Sequence, residues 1–167
     1  MCLCISNYCF VEPLKFNSKV FSFMPKKSKK EKSKLSRSKV VKKLDAVFSR
    51  FIRFRDCDKH GIVTCPLCGA KMPRKKAQNM HFISRKNMKY RFDEDNCHAW
   101  CQRCNVTLNG NYIEYTLYMV NRYWVEKTEA MKHDKQAYKI ETWELEEMIE
   151  YYKLKNAEYE RVKNLKN

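Results

Sequence analysis

A chain of 167 residues suits one compact domain with extensions, and its 3 glycines and 4 prolines are too few turn residues for an all-β sandwich. Its 35 lysines and arginines against 19 acidic residues give a formal net charge of +16, which favours a polyanionic partner, nucleic acid ahead of an anionic membrane surface, over a small acidic ligand. Nine cysteines would suit a secreted disulfide framework, but paired Cys-x-x-Cys spacing without a signal peptide points instead to metal-bound thiolates in a reducing cytoplasm.

Residues 1–23 are apolar and aromatic in patches and carry Cys2, Cys4 and Cys9, yet Glu12, Pro13, Lys15 and Lys19 interrupt any spanning helix or signal-peptide core. At Met24 the composition turns abruptly basic, so the first 23 residues are read either as an over-extended frame ahead of a true start at Met24 or as a short arm. Residues 24–39 form a Lys/Ser-rich tail that cannot bury enough to order itself; an electrostatic role, a merely solvated one and a nuclear address all fit its charge. Over residues 40–57, Val40, Val41, Leu44, Val47, Phe48, Phe51 and Ile52 share one helical face and predict an amphipathic helix. Lys42, Lys43, Arg50, Arg53 and Arg55 surround that face, either solvated or on phosphate.

Residues 58–111 are short-segmented. Extended pieces are expected at 62–64, 80–83 and 97–100, a polar turn at 84–87, and a short helix from Cys104 to Leu108 stopped by Asn109-Gly110. Two knuckles, Cys65-Pro66-Leu67-Cys68 and Cys101-Gln102-Arg103-Cys104, each aim two sulfurs from one tight turn, and together they complete the tetrahedral thiolate set of a structural Zn²⁺. Cys57 and Cys97 fall outside that spacing and are expected to be free thiols. Beyond them, Ile113, Leu117, Val120 and Trp124 predict an amphipathic helix to about Met131. A last helix capped by Thr142 turns Leu145, Met148, Ile149 and Tyr152 inward. The expected class is α+β: a small zinc-stabilised core at 58–111, flanked by amphipathic helices, with 112–167 a helical region packing on it. The C-terminal stripes suit a homodimer contact and intramolecular packing equally well.

The string His81-Phe82-Ile83-Ser84-Arg85, Arg91-Phe92-Asp93, Asn96-Cys97-His98, Cys101-x-x-Cys104-Asn105 and Gly110-Asn111 with Tyr115 resembles the bacteriophage NinG (Rap) recombination endonucleases, zinc-bearing members of the HNH, or ββα-metal, nuclease superfamily. The resemblance covers roughly Lys43 to Leu165. It implies a ββα-metal core and a metal-dependent endonuclease that hydrolyses DNA, branched or junction DNA in particular, during phage or prophage recombination in the host cytoplasm.

By that resemblance His81 is the general base, with a buried histidine bonded to backbone as the plainer alternative. Asn96 orders the loop and orients the base. Asn105 is a ligand of a catalytic Mg²⁺ or Mn²⁺, or simply a helix cap. His98 is a second ligand of that ion or a ring stacked beside Trp100. Arg85, Lys86, Arg53 and Arg55 contact phosphates, although Arg85 could instead pair with Asp93, Glu94 or Asp95. Met80 stands where many HNH enzymes have a ligating Asp or His, and Thr107 where some have a histidine. The rival class is a non-catalytic zinc-ribbon DNA-binding or scaffold protein.

Overall fold

The computed structural model describes residues 35–136 and 138–165; the readings of residues 1–23 and of the basic run up to Lys34 lie outside them. Helix α1 spans Arg37–Asp56. It starts at Arg37 rather than Val40, because the Ser36 carbonyl accepts from both Lys39 and Val40 N–H at 2.9 and 3.1 Å, so the last residues of the expected tail form its first turn. Its buried face, Val40, Leu44, Phe48, Phe51 and Ile52, packs on helix α4, while Phe54 is buried with the Arg74 guanidinium 4.1 Å from its ring centre.

Helix α4, Thr142–Val162, buries Leu145, Met148, Ile149 and Tyr152 as its spacing predicts. The Tyr152 ring lies 4.9 Å from both Phe48 and Phe51. Burying each of these rings contributes about 2–3 kcal/mol. The two helices run in the same direction: Asn156 donates to the Val47 carbonyl at 3.1 Å, Glu160 pairs with Arg50, and Lys163 donates to the Phe54 carbonyl at 2.7 Å. Lys163 thereby places a cation at the negative end of the α1 dipole. The α4 cap differs from expectation. Glu141, not Thr142, caps the helix, and the Glu144 carboxylate reaches back to accept from Glu141 N–H at 2.6 Å in a capping box.

Strands β1, Ile62–Thr64, and β2, Lys71–Pro73, form an antiparallel hairpin around the first knuckle. β2 was not expected, since Lys-Met-Pro offers almost no apolar alternation to detect. β3, Gln78–His81, pairs antiparallel with β4, Cys97–Trp100, setting Gln78 opposite Trp100 and His81 opposite Cys97. Strand β4 is buried throughout: Cys97 and Ala99 enter the α1/α4 core, whereas His98 and Trp100 face helix α3. Between β3 and β4 a one-turn helix α2, Met88–Arg91, is capped by Asn87, whose Oδ1 accepts from Lys89 N–H at 3.0 Å.

After the second knuckle the chain makes a π-helical turn, Arg103–Thr107, closed by Leu108 N–H on the Arg103 carbonyl at 2.9 Å, and leaves through positive φ at Asn109 and Gly110. Helix α3, Tyr112–His133, follows and is broken at Trp124, which has φ 68° and ψ 164°. Its inward face is Tyr115, Met119, Thr128 and Met131. The predicted stripe points outward instead, with Ile113 76% and Trp124 77% exposed. The tyrosine face wins because it satisfies buried polar atoms: the Tyr115 hydroxyl donates to the Asn96 carbonyl at 3.2 Å, which an aliphatic stripe cannot do. The whole is α+β, two small antiparallel sheets among helices, and no described helix is long and apolar enough to cross a membrane.

Candidate functional site

The four knuckle sulfurs, from Cys65, Cys68, Cys101 and Cys104, lie within 4.8 Å of one another, with Cys68 and Cys101 3.6 Å apart. A tetrahedral Zn²⁺ with bonds of about 2.3 Å needs sulfurs roughly 3.8 Å apart, so the donor set fits a metal such as zinc. Local backbone creates the convergence. Cys65 N–H donates to the Ala70 carbonyl at 2.8 Å and Gly69 N–H to the Cys65 carbonyl at 2.9 Å. Gly69 sits at φ 70°, where a side chain would be strained. The Ala70 N–H holds the exposed Cys68 thiol down at about 7, while burial pushes the Cys101 and Cys104 thiols up. Cys57 and Cys97 are free thiols outside the cluster, as their spacing implied. Among the described residues no other three His, Cys, Asp or Glu side chains converge in this way.

His81, at the end of β3, lines an open groove with Asp45, Ser49 and Arg53 of α1, with Ala77, Gln78 and Asn79, and with Arg85. Because side chains alternate along a strand, Asn79 and His81 share the side of β3 that faces α1. The Nε2 of His81 lies 3.0 Å from the Arg91 carbonyl, which can only accept, so that nitrogen carries the proton and Nδ1 keeps its lone pair. Burial holds the His81 pKa below its usual value, leaving the ring neutral at neutral pH. Arg91 is itself fixed by a bidentate pair to Asp45, at 2.9 and 2.6 Å. Arg53 and Arg85 have no acidic partner among the described residues. Burial, and the nearby Arg74 and Arg50, lower the Arg53 pKa.

Asn96 is fully buried and clamps the loop that carries the groove. Its Oδ1 accepts from Ile83 N–H at 2.6 Å, and its Nδ2 donates to the Ile83 and Tyr90 carbonyls, each at 2.9 Å. Phe82 N–H still donates to the Asn96 carbonyl at 2.9 Å, but the Asn96 side chain takes Ile83 out of the ladder, and β3 ends at His81 rather than running to Ile83.

Both ring nitrogens of His98 are occupied: Nδ1 by the Tyr115 hydroxyl and Nε2 by the Tyr123 hydroxyl, each at 3.0 Å. Tyr115 gives its proton to the Asn96 carbonyl, so His98 Nδ1–H donates to it; Tyr123 accepts from Arg122 Nε at 3.1 Å and gives its own proton to Nε2. That chain satisfies one neutral tautomer completely, and burial lowers the His98 pKa to about 3. The metal-ligand alternative for His98 is therefore corrected to a core histidine. Its ring neighbours are Tyr115, Tyr118 and Tyr123 rather than Trp100.

Asn105, in the π-helical turn, donates from Nδ2 to Gln78 Oε1 at 2.6 Å, which leaves its own amide oxygen open. It does not line the His81 groove. Arg55 is also corrected. Its guanidinium is buried against Asp56 and donates to the Glu94 and Cys97 carbonyls, both at 2.7 Å, while Asp56 accepts from Ala99 N–H at 2.7 Å. It holds β4 in place and offers nothing to a phosphate. Lys86 is exposed on the turn beside Arg85, its backbone N–H 3.3 Å from Ser84 Oγ. Asp45, Ser49, Gln78 and Asn79 are groove residues that motif reading passed over. The polar side of the α1 helical wheel was the signal that could have found the first two.

A family model described as Bacteriophage Lambda NinG protein matches residues 23–163. Protein ninG of Salmonella phage P22 is 27% identical over 132 residues, covering 78% of this chain and 60% of that protein. Protein ninG of Escherichia phage 933W and of Enterobacteria phage VT2-Sa are each 26% identical over 131 residues, with the same coverage. The chain thus spans about 60% of the length of the curated relatives it matches. No solved structure matches it. With most of its length matched by that family model, the chain belongs to the NinG family of bacteriophage proteins.

Proposed function

We propose that this protein is a metal-dependent DNA endonuclease of the HNH type, hydrolysing phosphodiester bonds in branched DNA during phage recombination. The observation that carries the reading is the His81 groove: a neutral imidazole, its tautomer set by the Arg91 carbonyl, between two arginines without acidic partners. In that arrangement His81 Nδ1 takes a proton from a water as it attacks phosphorus. Arg53 and Arg85 hold the phosphate and offset charge on its oxygens in the transition state. Asn96 holds the loop through Ile83 and Tyr90, which fixes the base. The four thiolates would hold zinc as a structural clamp joining the β1–β2 hairpin to the turn after β4.

The donor set for a catalytic Mg²⁺ or Mn²⁺ is sparse. Asn105, whose amide oxygen is open, does not line the His81 groove, so an ion at the phosphate there would keep most of its waters and take its other ligands from the substrate. When bound, such an ion supplies charge neutralisation at the phosphate and leaving oxygen.

One observation favours the rival reading, a zinc-bearing DNA-binding protein without chemistry: Asp45, the one carboxylate among the groove residues, spends both oxygens on Arg91. Matched linear, forked and four-way DNA, each with Mg²⁺, Mn²⁺ or chelator, separates the two. The nuclease reading expects ion-dependent cleavage that is fastest on branched forms. Binding with no cleavage on any form overturns it in favour of the rival.

A further inference from the structure

Helical period places Lys39, Lys42, Ala46, Ser49 and Arg53 on one stripe of α1, at i, i+3, i+7, i+10 and i+14, opposite the buried Val40, Leu44, Phe48 and Phe51. Lys39, Lys42 and Ala46 are exposed, whereas Ser49 and Arg53 are half-buried where the stripe enters the His81 groove. At 1.5 Å per residue the stripe is about 21 Å long. Asp45 is the acidic residue nearest to it on α1, and Arg91 already neutralises that carboxylate.

The pairing of the arginines makes the stripe specific. Arg50, Arg55 and Arg91 are bound to Glu160, Asp56 and Asp45. Arg53, by contrast, has like charges for company in Arg74 and Arg50. A half-buried guanidinium crowded by cations is stabilised by an arriving anion, and the lysines beyond it extend the same field outward.

We propose that this α1 stripe is the track that carries the phosphates of one DNA strand into the His81 groove. The proposal rests on the nuclease reading and adds the path of the substrate. Lys39, Lys42 and Arg53 meet phosphate charge, Ser49 offers a hydroxyl donor, and the small Ala46 lets the backbone approach the helix closely. Three cations and one hydroxyl along the stripe meet at most four phosphates of that strand. None of these groups reads a base edge, so recognition along the track is of the backbone alone.

The test uses the full chain, loaded with zinc and carrying His81→Ala so that binding is measured without cleavage. Anisotropy of a fluorescein-labelled 30-base-pair duplex is followed against KCl. The double variant Lys39→Gln/Lys42→Gln is compared with Lys135→Gln/Lys153→Gln, which removes the same charge from exposed positions elsewhere. The track expects at least tenfold weaker binding and a salt slope smaller by about 1.8 for the first pair, at about 0.9 per lost phosphate contact. It expects less than a twofold effect for the second. An unchanged first pair, or equal losses in both, overturns the track. Failure of the nuclease reading looks different: the α1 pair still governs binding while the wild-type chain shows no His81-dependent cleavage.

Discussion

Replacing His98 by Gln tests the neutral core role that its two tyrosine partners assign to it. Its folded pKa of about 3 lies below the usual 6.5, first because burial disfavours the cation and then because Arg55 and Arg122 repel it, with Asp56 and Asp95 opposing. As pH falls below about 6.5 the unfolded chain takes the proton and the folded chain does not. Stability from this group is therefore fully present above that pH and is lost as pH drops toward 3. Each unit is worth about 1.4 kcal/mol, so about 2 kcal/mol disappears between pH 7.5 and pH 5.0. Zinc loss by cysteine protonation also weakens the fold in acid, but it acts on wild type and His98→Gln alike. Urea unfolding of both proteins across this range should show the wild-type advantage shrinking by about 2 kcal/mol. Parallel pH dependences would refute the assignment and return His98 to a charged or ligating role.

Cys104→Ser removes a buried member of the thiolate set and should abolish stoichiometric zinc in a metal assay and lower Tm by more than 10 °C, since binding energy at such a site is folding energy. Asn96→Ala removes three side-chain hydrogen bonds and leaves the half-buried Ile83 N–H and carbonyl without their Asn96 partners, while the Tyr90 carbonyl keeps Asp93 N–H at 3.3 Å, a loss of about 2 kcal/mol in denaturant titration. Trp124→Gly and Trp124→Ala both delete an exposed ring, but glycine alone accepts φ 68° with ψ 164°, so the glycine variant should be about 1 kcal/mol the more stable of the two, against the usual order.

Much of this architecture was legible where one signal dominates. The apolar faces of α1 and α4 follow from 3.6-residue spacing because aliphatic and aromatic side chains dominate their burial, and the buried Asn156 finds its partner in the Val47 carbonyl. The knuckles follow from Cys-x-x-Cys because few other structures need that spacing. β4 was legible from Cys97 to Trp100, and its burial on both faces explains why the run holds no exposed residue. The orientation of α3 was not legible. Ile113, Leu117, Val120 and Trp124 make the stronger apolar stripe, yet the choice of face is decided by hydroxyls that satisfy His98 and the Asn96 carbonyl, groups distant in sequence. Arg55 and Arg53 lie about 200° apart around one helix, Arg55 in line with the buried Phe48 and Phe51 and Arg53 opposite them, so helical period separates the two; what it does not show is that Asp56 and two distant backbone carbonyls pair the buried guanidinium.

The central claim is that His81 performs chemistry on DNA, and a plasmid-nicking assay tests it most directly. Wild type and His81→Ala are compared at equal zinc content and equal Tm, with Mg²⁺ or Mn²⁺ supplied and with chelator as control. The nuclease reading predicts nicking by the wild type that chelator abolishes and that His81→Ala lowers at least a hundredfold, the lower range for loss of a general base. Equal nicking by both proteins, or none by either, would contradict it.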